Sequence, residues 1–157
     1  MRIAIVYDSV FGNTGKVAEA IAAALGAAHA VQLLPVREAA GLKLDETDLL
    51  LVGSPTRGFR PTPEMAEFVG SLEHPDTSGC KVAAFDTRLD LDQIHPAPLR
   101  WVVNAGGYAA ERLQDALQGH GFAVAGLPAG FRVSDTEGPM LDGELERAAA
   151  WATQLAA

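Results

Sequence analysis

Three uninterrupted apolar runs constrain the fold of this chain more than any other feature of its sequence. They occupy residues 3–7, 49–52 and 82–85 and consist of aliphatic, β-branched and aromatic residues. A strand with one face in water alternates between apolar and polar residues, whereas a strand that helices cover on both faces is apolar throughout. The runs therefore predict parallel strands in the interior of an α/β protein.

Stretches with the apolar spacing of amphipathic helices follow these runs, at residues 17–25, 65–72, 113–117 and 145–152. Thr62 and Pro63 are typical of an N-cap and a first helical residue. Weaker strands at residues 30–34 and 122–125 complete an alternation of strand and helix. This alternation predicts a doubly wound, three-layer α/β sandwich with a five-stranded parallel sheet. We expect residues 87–104 and 126–140 to be irregular.

The composition is that of one globular domain spanning residues 1–157, with 48% apolar and 20% charged residues. Twelve Lys and Arg against twenty Asp and Glu give a net charge of -8, which disfavours binding to nucleic acid or to anionic lipid. No apolar run approaches the roughly 20 residues that span a bilayer, and no secretory signal is visible. A single cysteine, Cys80, excludes an internal disulfide, so we expect a cytoplasmic protein.

The loops after the first, third and fourth strands should carry the function, because the carboxyl ends of the strands in an open parallel sheet meet at one crevice. The first loop, residues 8–15, combines hydroxyl side chains, the Asn13 amide and Gly12 with the positive end of a helix. These features are typical of a phosphate-binding loop. A Walker A loop is excluded because Val10 stands where that motif requires glycine. The alternative is a loop that only caps the helix.

The second loop, residues 53–63, is stiffened and kinked by its prolines and glycines. Such a loop, with an aromatic residue and exposed amides, can lie against a flat ring, although an ordinary strand-to-helix connection has the same composition. The third loop, residues 86–90, follows the fourth strand at the same end of the sheet. We therefore expect all three loops to border one crevice.

Residues 5–14, IVYDSVFGNT, followed by Val17 and Ala18, resemble the FMN phosphate loop of the flavodoxin family. Residues 51–56, LVGSPT, resemble that family's second flavin loop, and the resemblance spans nearly the whole chain. It implies a flavodoxin-like sheet of order 2-1-3-4-5 and noncovalent binding of FMN, with no catalytic protein residue because the flavin performs the chemistry. The implied cofactor-binding residues are Ser9, Val10, Phe11, Gly12, Asn13 and Thr14 at the phosphate, and Pro55, Thr56, Arg57, Gly58, Phe59, Thr87, Arg88 and Leu89 around the ring.

Two departures from the family pattern bear on how the flavin would be held. Phe11 stands where electron-carrying flavodoxins usually have a hydroxyl residue, so one hydrogen bond to the phosphate should be missing. The pair of Trp or Tyr rings that commonly encloses the flavin is also missing from the second and third loops. Phe59, Trp101 and Tyr108 are the remaining candidates for stacking on the ring.

The arginines of the second and third loops, Arg57, Arg60 and Arg88, have three possible roles. Cations that face the flavin would stabilise negative charge on it and ease its reduction. They would equally suit an anionic substrate or a nicotinamide phosphate. Arginines that only solvate the rim of the loops are the third possibility.

The resemblance favours an electron-transfer protein whose acidic surface docks a reductase and an acceptor transiently. An FMN-dependent NAD(P)H:quinone-type reductase is the alternative, and a flavin-less binding module of the same fold is a third reading. We expect no metal site, since only the spacing of Asp90, Asp92 and His95 hints at one. Cys80 is expected to be a small buried hydrophobe rather than a nucleophile.

Overall fold

The structure is a computed structural model that describes residues 1–74, 79–93 and 97–157. Its strands are β1 (Arg2–Tyr7), β2 (Ala30–Pro35), β3 (Leu49–Pro55), β4 (Lys81–Leu89), β5 (Ala123–Val124) and β6 (Ala129–Val133). Its helices are α1 (Asn13–Leu25), α2 (Pro63–Ser71), α3 (Pro98–Gly106), α4 (Ala109–Gly119) and α5 (Glu144–Leu155). None of the helices in the described residues is both long enough and apolar enough to cross a membrane.

All of the strands lie in one parallel sheet, and the order β2-β1-β3-β4-β5 confirms the predicted topology. In the centre of the sheet Ile5 of β1 pairs with Leu51 of β3, which pairs in turn with Ala83 of β4. Because the three strands run parallel and in register, the loops that follow them emerge at the same edge of the sheet.

At the far edge of the sheet the structure has two short strands where the sequence predicted a single fifth strand. β5 is two residues long and pairs with the start of β4, and β6 pairs with Phe85–Leu89 of the same strand. The two short strands therefore occupy one edge position with a break between them. Pro128 lies in the break and has no N–H to donate to β4. The predicted irregular stretch at 126–140 thus contains a strand.

The interior consists of two apolar layers, one on each face of the sheet. Ile5 and Phe85 belong to the layer under α1 and α5, whereas Val6 and Ala84 belong to the layer under α2 and α4. Neighbouring residues of the same strand are buried on opposite faces, as the uninterrupted apolar runs predicted. This burial fixes the strands, and the polar loops that follow them extend from their carboxyl ends.

Two helices show how closely the local signals match the structure. Thr62 caps α2 by accepting a hydrogen bond from the Met65 N–H at 3.3 Å, as predicted. α3 was not predicted, because residues 87–104 were expected to be irregular. β4 continues to Leu89 since β6 pairs with its end, and α3 then occupies residues 98–104 of the same stretch and ends at Gly106.

Candidate functional site

The three loops converge on a cavity of about 330 Å³ at the carboxyl ends of β1, β3 and β4, a volume at the low end of the range for ligand pockets. Its lining residues are Ser9, Val10, Phe11, Asn13, Thr14, Pro55, Thr56, Arg57, Gly58, Thr87, Arg88, Leu89, Val133 and Thr136. Every residue predicted to bind the cofactor is among them except Gly12 and Phe59. The expected meeting of the three loops at one crevice is therefore what the structure contains.

The first loop presents unpaired backbone donors at the start of α1. The backbone N–H groups of residues 10–14 have no hydrogen-bond acceptor in the part of the chain that the structure describes. Gly12 precedes the helix with φ of 93°, a left-handed conformation that glycine adopts without strain. The first turn of α1 has no acidic residue, so the positive end of the helix is not neutralised. An anion is the ligand that these donors suit best.

Two hydroxyl groups border the same loop. Ser9 Oγ accepts a hydrogen bond from the Gly15 N–H at 3.2 Å, and its own proton remains available to a ligand. Thr14 Oγ1 lies 2.8 Å from Thr87 Oγ1 on β4, with both side chains buried. One proton of this Thr14–Thr87 pair bonds the two oxygens, and the other is free to donate. The pair also joins the first loop to the third.

The Asn13 side chain, which was expected to hold the FMN phosphate, binds a distant part of the chain. Its Nδ2 donates to the Glu137 carbonyl at 3.1 Å. Gly138 packs so closely that a Cβ atom there would lie 2.7 Å from Asn13 Oδ1. Asn13 thereby fastens the segment 134–140, which contributes Thr136 to the cavity. In this arrangement the Asn13 amide is engaged by protein.

The segment 134–140 belongs to a stretch that was predicted to be irregular, but no cofactor-binding residue was predicted within it. It follows β6 and supplies Thr136, and the end of β6 supplies Val133. The hydrogen bond that attaches it to Asn13 spans 124 positions in the sequence. No local sequence pattern predicts a contact between residues that lie so far apart in the chain.

The second loop makes a tight turn at 57–60. Arg57 and Arg60 exchange two backbone hydrogen bonds, at 2.8 and 3.1 Å. Gly58 and Phe59 between them both have positive φ, at 55° and 69°, as in a type I′ turn. This geometry fixes the direction of every side chain in the turn.

The turn points the Phe59 ring away from the cavity. The ring packs against the backbone of Gly106, where a Cβ atom would overlap it. Arg112 holds this contact by donating from Nε to the Phe59 carbonyl at 2.7 Å and from Nη2 to the Gly106 carbonyl at 2.9 Å. In this structure Phe59 therefore joins the second loop to α3 and does not border the cavity as expected.

Arg88 lies in the cavity wall and is neutralised by buried and half-exposed acids. Its Nε and Nη2 donate to the two carboxylate oxygens of Asp86 at 2.8 Å each, and Nη2 also lies 3.2 Å from Glu111. Its guanidinium carbon is 3.7 Å from the ring centroid of Tyr108. Burial raises the pKa of the Asp86 carboxyl, and the hydrogen bonds from Arg88 and the Ala110 N–H act against that shift.

The other two arginines of the predicted site have no such acids. Within residues 1–74, 79–93 and 97–157, no carboxylate lies within salt-bridge distance of Arg57 or Arg60. Arg57 is exposed, lines the cavity and has its guanidinium carbon 5.7 Å from the Phe11 ring centroid. Arg60 lines a separate cavity of about 450 Å³ with Arg112. A single exposed cation, that of Arg57, therefore borders the candidate site from the second loop.

The remaining aromatic candidates also lie outside the cavity wall. Tyr108 is buried beneath the Arg88 guanidinium, and Trp101 is 77% exposed on α3. Cys80 is buried, which raises the pKa of its thiol to about 11 and makes it the inert hydrophobe that was expected. The described residues contain no group of three His, Cys, Asp or Glu that could hold a metal ion. His95 of the spacing noted above lies outside the described residues.

Comparison with known proteins places this geometry in a family context. Residues 4–96 match the family model described as "Flavodoxin domain". No curated protein matches the sequence. Among solved structures, flavodoxin 2 of Bacillus cereus is similar with a TM-score of 0.71 and 22% identity, over 99% of this chain and 98% of that one.

Two further structures extend the comparison. The rubredoxin oxygen:oxidoreductase of Desulfovibrio gigas is similar at a TM-score of 0.72 and 19% identity, and the match covers 99% of this chain but 35% of that one. The chain thus spans about a third of that oxidoreductase. A flavodoxin variant of Fusobacterium nucleatum, solved with flavin mononucleotide bound, is similar at 0.64 and 17% identity, over 99% and 95% of the two chains. At these identities the likeness concerns the fold.

Proposed function

The chain belongs to the flavodoxin family, and from this premise we propose that it binds FMN noncovalently in the cavity between its three loops and carries electrons. Bound FMN would take up and release electrons one or two at a time. The residues of the chain need only bind the cofactor, orient it and set the electrostatic potential around it. No side chain of the protein is required to act as an acid or a base.

The observation that carries this proposal is the set of unpaired N–H groups at residues 10–14. They surround the positive end of α1, and the hydroxyls of Ser9 and Thr14 stand beside them. Main-chain dipoles and hydroxyls can hold a phosphate without a lysine or arginine. This explains how a chain with a net charge of -8 would bind an anion.

The ring would occupy the part of the cavity between the second and third loops. Backbone hydrogen bonds and Arg112 hold the 57–60 turn in place, so this wall is preorganised. The exposed Arg57 cation would favour additional negative charge at the ring and so make its reduction easier. The Arg88 cation is already paired with Asp86 and contributes less.

We propose separate redox partners, a reductase that supplies electrons and an acceptor that removes them. The negative charge of the chain would speed its encounter with a basic reductase and keep the complex short-lived. A stand-alone NAD(P)H:quinone-type reductase differs in one measurable respect, because it would oxidise NAD(P)H without a second protein.

The proposal is tested by titrating the protein with FMN and with riboflavin, which lacks the phosphate, and following flavin fluorescence. Thr14→Val removes a hydroxyl at the phosphate end, so we expect FMN affinity to fall about tenfold or more and riboflavin affinity to change little. Thr47→Val is the matched control. Thr47 is also buried, and its hydroxyl donates to the Lys43 carbonyl at 2.8 Å, far from the loops.

Absence of saturable FMN binding would contradict the proposal and favour the flavin-less binding module. Equal effects of Thr14→Val and Thr47→Val would contradict the assignment of the phosphate end. NADPH oxidation by the isolated, FMN-loaded protein, followed at 340 nm with a quinone as acceptor, would favour the reductase over the carrier. We expect no turnover until a separate reductase is added.

A further inference from the structure

One surface beside the cavity departs from the acidic character of the chain. Arg57 and Arg60 are exposed on the 57–60 turn, and no described carboxylate neutralises either of them. Four other arginines, Arg2, Arg88, Arg132 and Arg147, have carboxylate partners, whereas Arg37 and Arg112 have none among the described residues. In a chain with twelve basic and twenty acidic residues, these two neighbouring exposed cations form a locally positive patch.

α3, whose last residue Gly106 contacts that turn, carries exposed apolar side chains. Leu99, Trp101 and Val102 are 45%, 77% and 48% exposed. Burying a tryptophan removes a large apolar area from water, and Trp and Arg are the residues most enriched at the centres of protein interfaces. A helix face of this kind gains free energy when a partner covers it.

The turn contacts the carboxyl end of the helix. The Phe59 ring packs on Gly106, the last residue of α3, and Arg112 donates hydrogen bonds to the carbonyl groups of both residues. Val102 lies about one helical turn before Gly106. We call this surface the arginine face and define it as Arg57, Arg60, Leu99, Trp101 and Val102.

We propose that the arginine face docks a protein redox partner that presents carboxylates around an apolar centre. The inference deepens the proposed function and rests on it, because Arg57 also lines the cavity assigned to FMN. A partner seated on this face would contact the second loop and hence the edge of the ring. The two arginines attract an acidic partner surface to this face. The net negative charge of the chain, by contrast, attracts a basic partner to its other surfaces.

The observations favour a protein over the other possible occupants. A nine-residue helix with three exposed apolar side chains gives a membrane little apolar area to bind. A second copy related by a twofold axis would present the same two arginines, so that like charges would face each other across the contact. A folded partner needs only a local match of charge and apolar area, which the arginine face provides.

The test uses cytochrome b5 as an acidic probe and cytochrome c as a basic one, with the 15N-labelled protein followed by NMR at low ionic strength. Binding is read from chemical shifts, so it is measured whether or not FMN is bound. FMN titration of the same samples tests the proposed function separately.

Two pairs of variants provide matched controls. Arg60→Glu and Lys43→Glu change the net charge equally, and Trp101→Ala and Leu127→Ala each remove an exposed apolar side chain. Lys43 lines a groove at the amino ends of β1 and β2, opposite the cavity.

We expect cytochrome b5 to shift the resonances of the 57–60 turn and of α3. Arg60→Glu should weaken its binding about five- to tenfold, and Lys43→Glu by less than about twofold. Trp101→Ala should weaken binding several times more than Leu127→Ala, and added salt should remove the effect of Arg60→Glu.

Several results would overturn the proposal. They are equal effects of Arg60→Glu and Lys43→Glu, a Trp101→Ala variant that binds cytochrome b5 like Leu127→Ala, or stronger shifts of the arginine face with cytochrome c. Shifts of the same face on raising the protein concentration alone would assign it to a second copy. Sedimentation with phosphatidylglycerol vesicles that Trp101→Ala abolishes would assign it to a membrane.

Discussion

The buried ion pair of Arg88 and Asp86 leads to a quantitative prediction about stability. Asp86 is fully buried and accepts two hydrogen bonds from Arg88 at 2.8 Å and one from the Ala110 N–H at 2.9 Å. Arg88→Met keeps most of the side-chain volume and removes both charged donors. Removing one partner of a buried ion pair leaves an uncompensated charge and costs about 3–5 kcal/mol of unfolding free energy.

The loss should depend on pH with a definite sign. Without Arg88, burial raises the pKa of the Asp86 carboxyl further above its ordinary value. A carboxyl group whose pKa is raised by folding stabilises the folded state below its unfolded pKa, and that contribution is lost as the pH rises through the folded pKa. The deficit of Arg88→Met relative to the parent protein should therefore be greatest at neutral pH and shrink as the pH falls.

Urea denaturation followed by circular dichroism at pH 8 and pH 5 measures both effects. The double variant Arg88→Met with Asp86→Asn removes the buried charge together with its partner and should regain most of the lost stability. Arg2→Met is the control, because its ion pair with Asp48 is half-exposed and should matter little. A double variant no more stable than Arg88→Met, or a deficit that does not change with pH, would refute the reasoning.

Three further predictions concern single positions. Thr62→Ala removes the N-cap of α2 and should cost about 1 kcal/mol in urea denaturation. Burial acts to raise the pKa of Glu144, but hydrogen bonds from Arg147 and a backbone N–H lower it overall. The stability advantage of the parent over Glu144→Gln should therefore be present above about pH 4.5 and disappear as the pH falls through the lower folded-state pKa, as denaturation across pH 3–7 would report. Gly53→Ala would push a methyl group into the Phe85 ring and should cost about 1–3 kcal/mol, measured by thermal unfolding.

The strands that form the site could be predicted because burial on both faces makes their central residues apolar without interruption. The central residues of β1, β3 and β4 are covered on both faces, so residues 3–7, 49–52 and 82–85 form uninterrupted apolar runs, and polar residues stand only towards the ends of these strands. β6 could not be predicted in the same way. It is short, follows Pro128 and exists because the end of β4 offers it a partner, which is a contact between distant parts of the chain.

The loops were predicted to meet, but the direction of their side chains was not. Phe59 turns towards Gly106 because it adopts a positive φ in the 57–60 turn. A phenylalanine in the sequence does not predict that backbone conformation. Asn13 binds the Glu137 carbonyl across 124 positions, and no spacing in the sequence encodes that distance. The pairing of Arg88 is different. Asp86 stands two residues before it on the same face of β4, so the alternation of a strand could have revealed the pair.

The count of arginines near the cavity therefore overstates its positive charge. The sequence offers three, but Arg88 is balanced by Asp86 and Glu111, and Arg60 lines a different cavity. Among the described residues of these loops, Arg57 alone brings an exposed and unneutralised cation to the wall of the site. A cation in contact with solvent acts through a high effective dielectric and is screened by salt, so its effect on a bound flavin is smaller than that of a buried charge. The expectation of a flavin that is easily reduced thus depends on one exposed residue, Arg57, and weakens as the ionic strength rises.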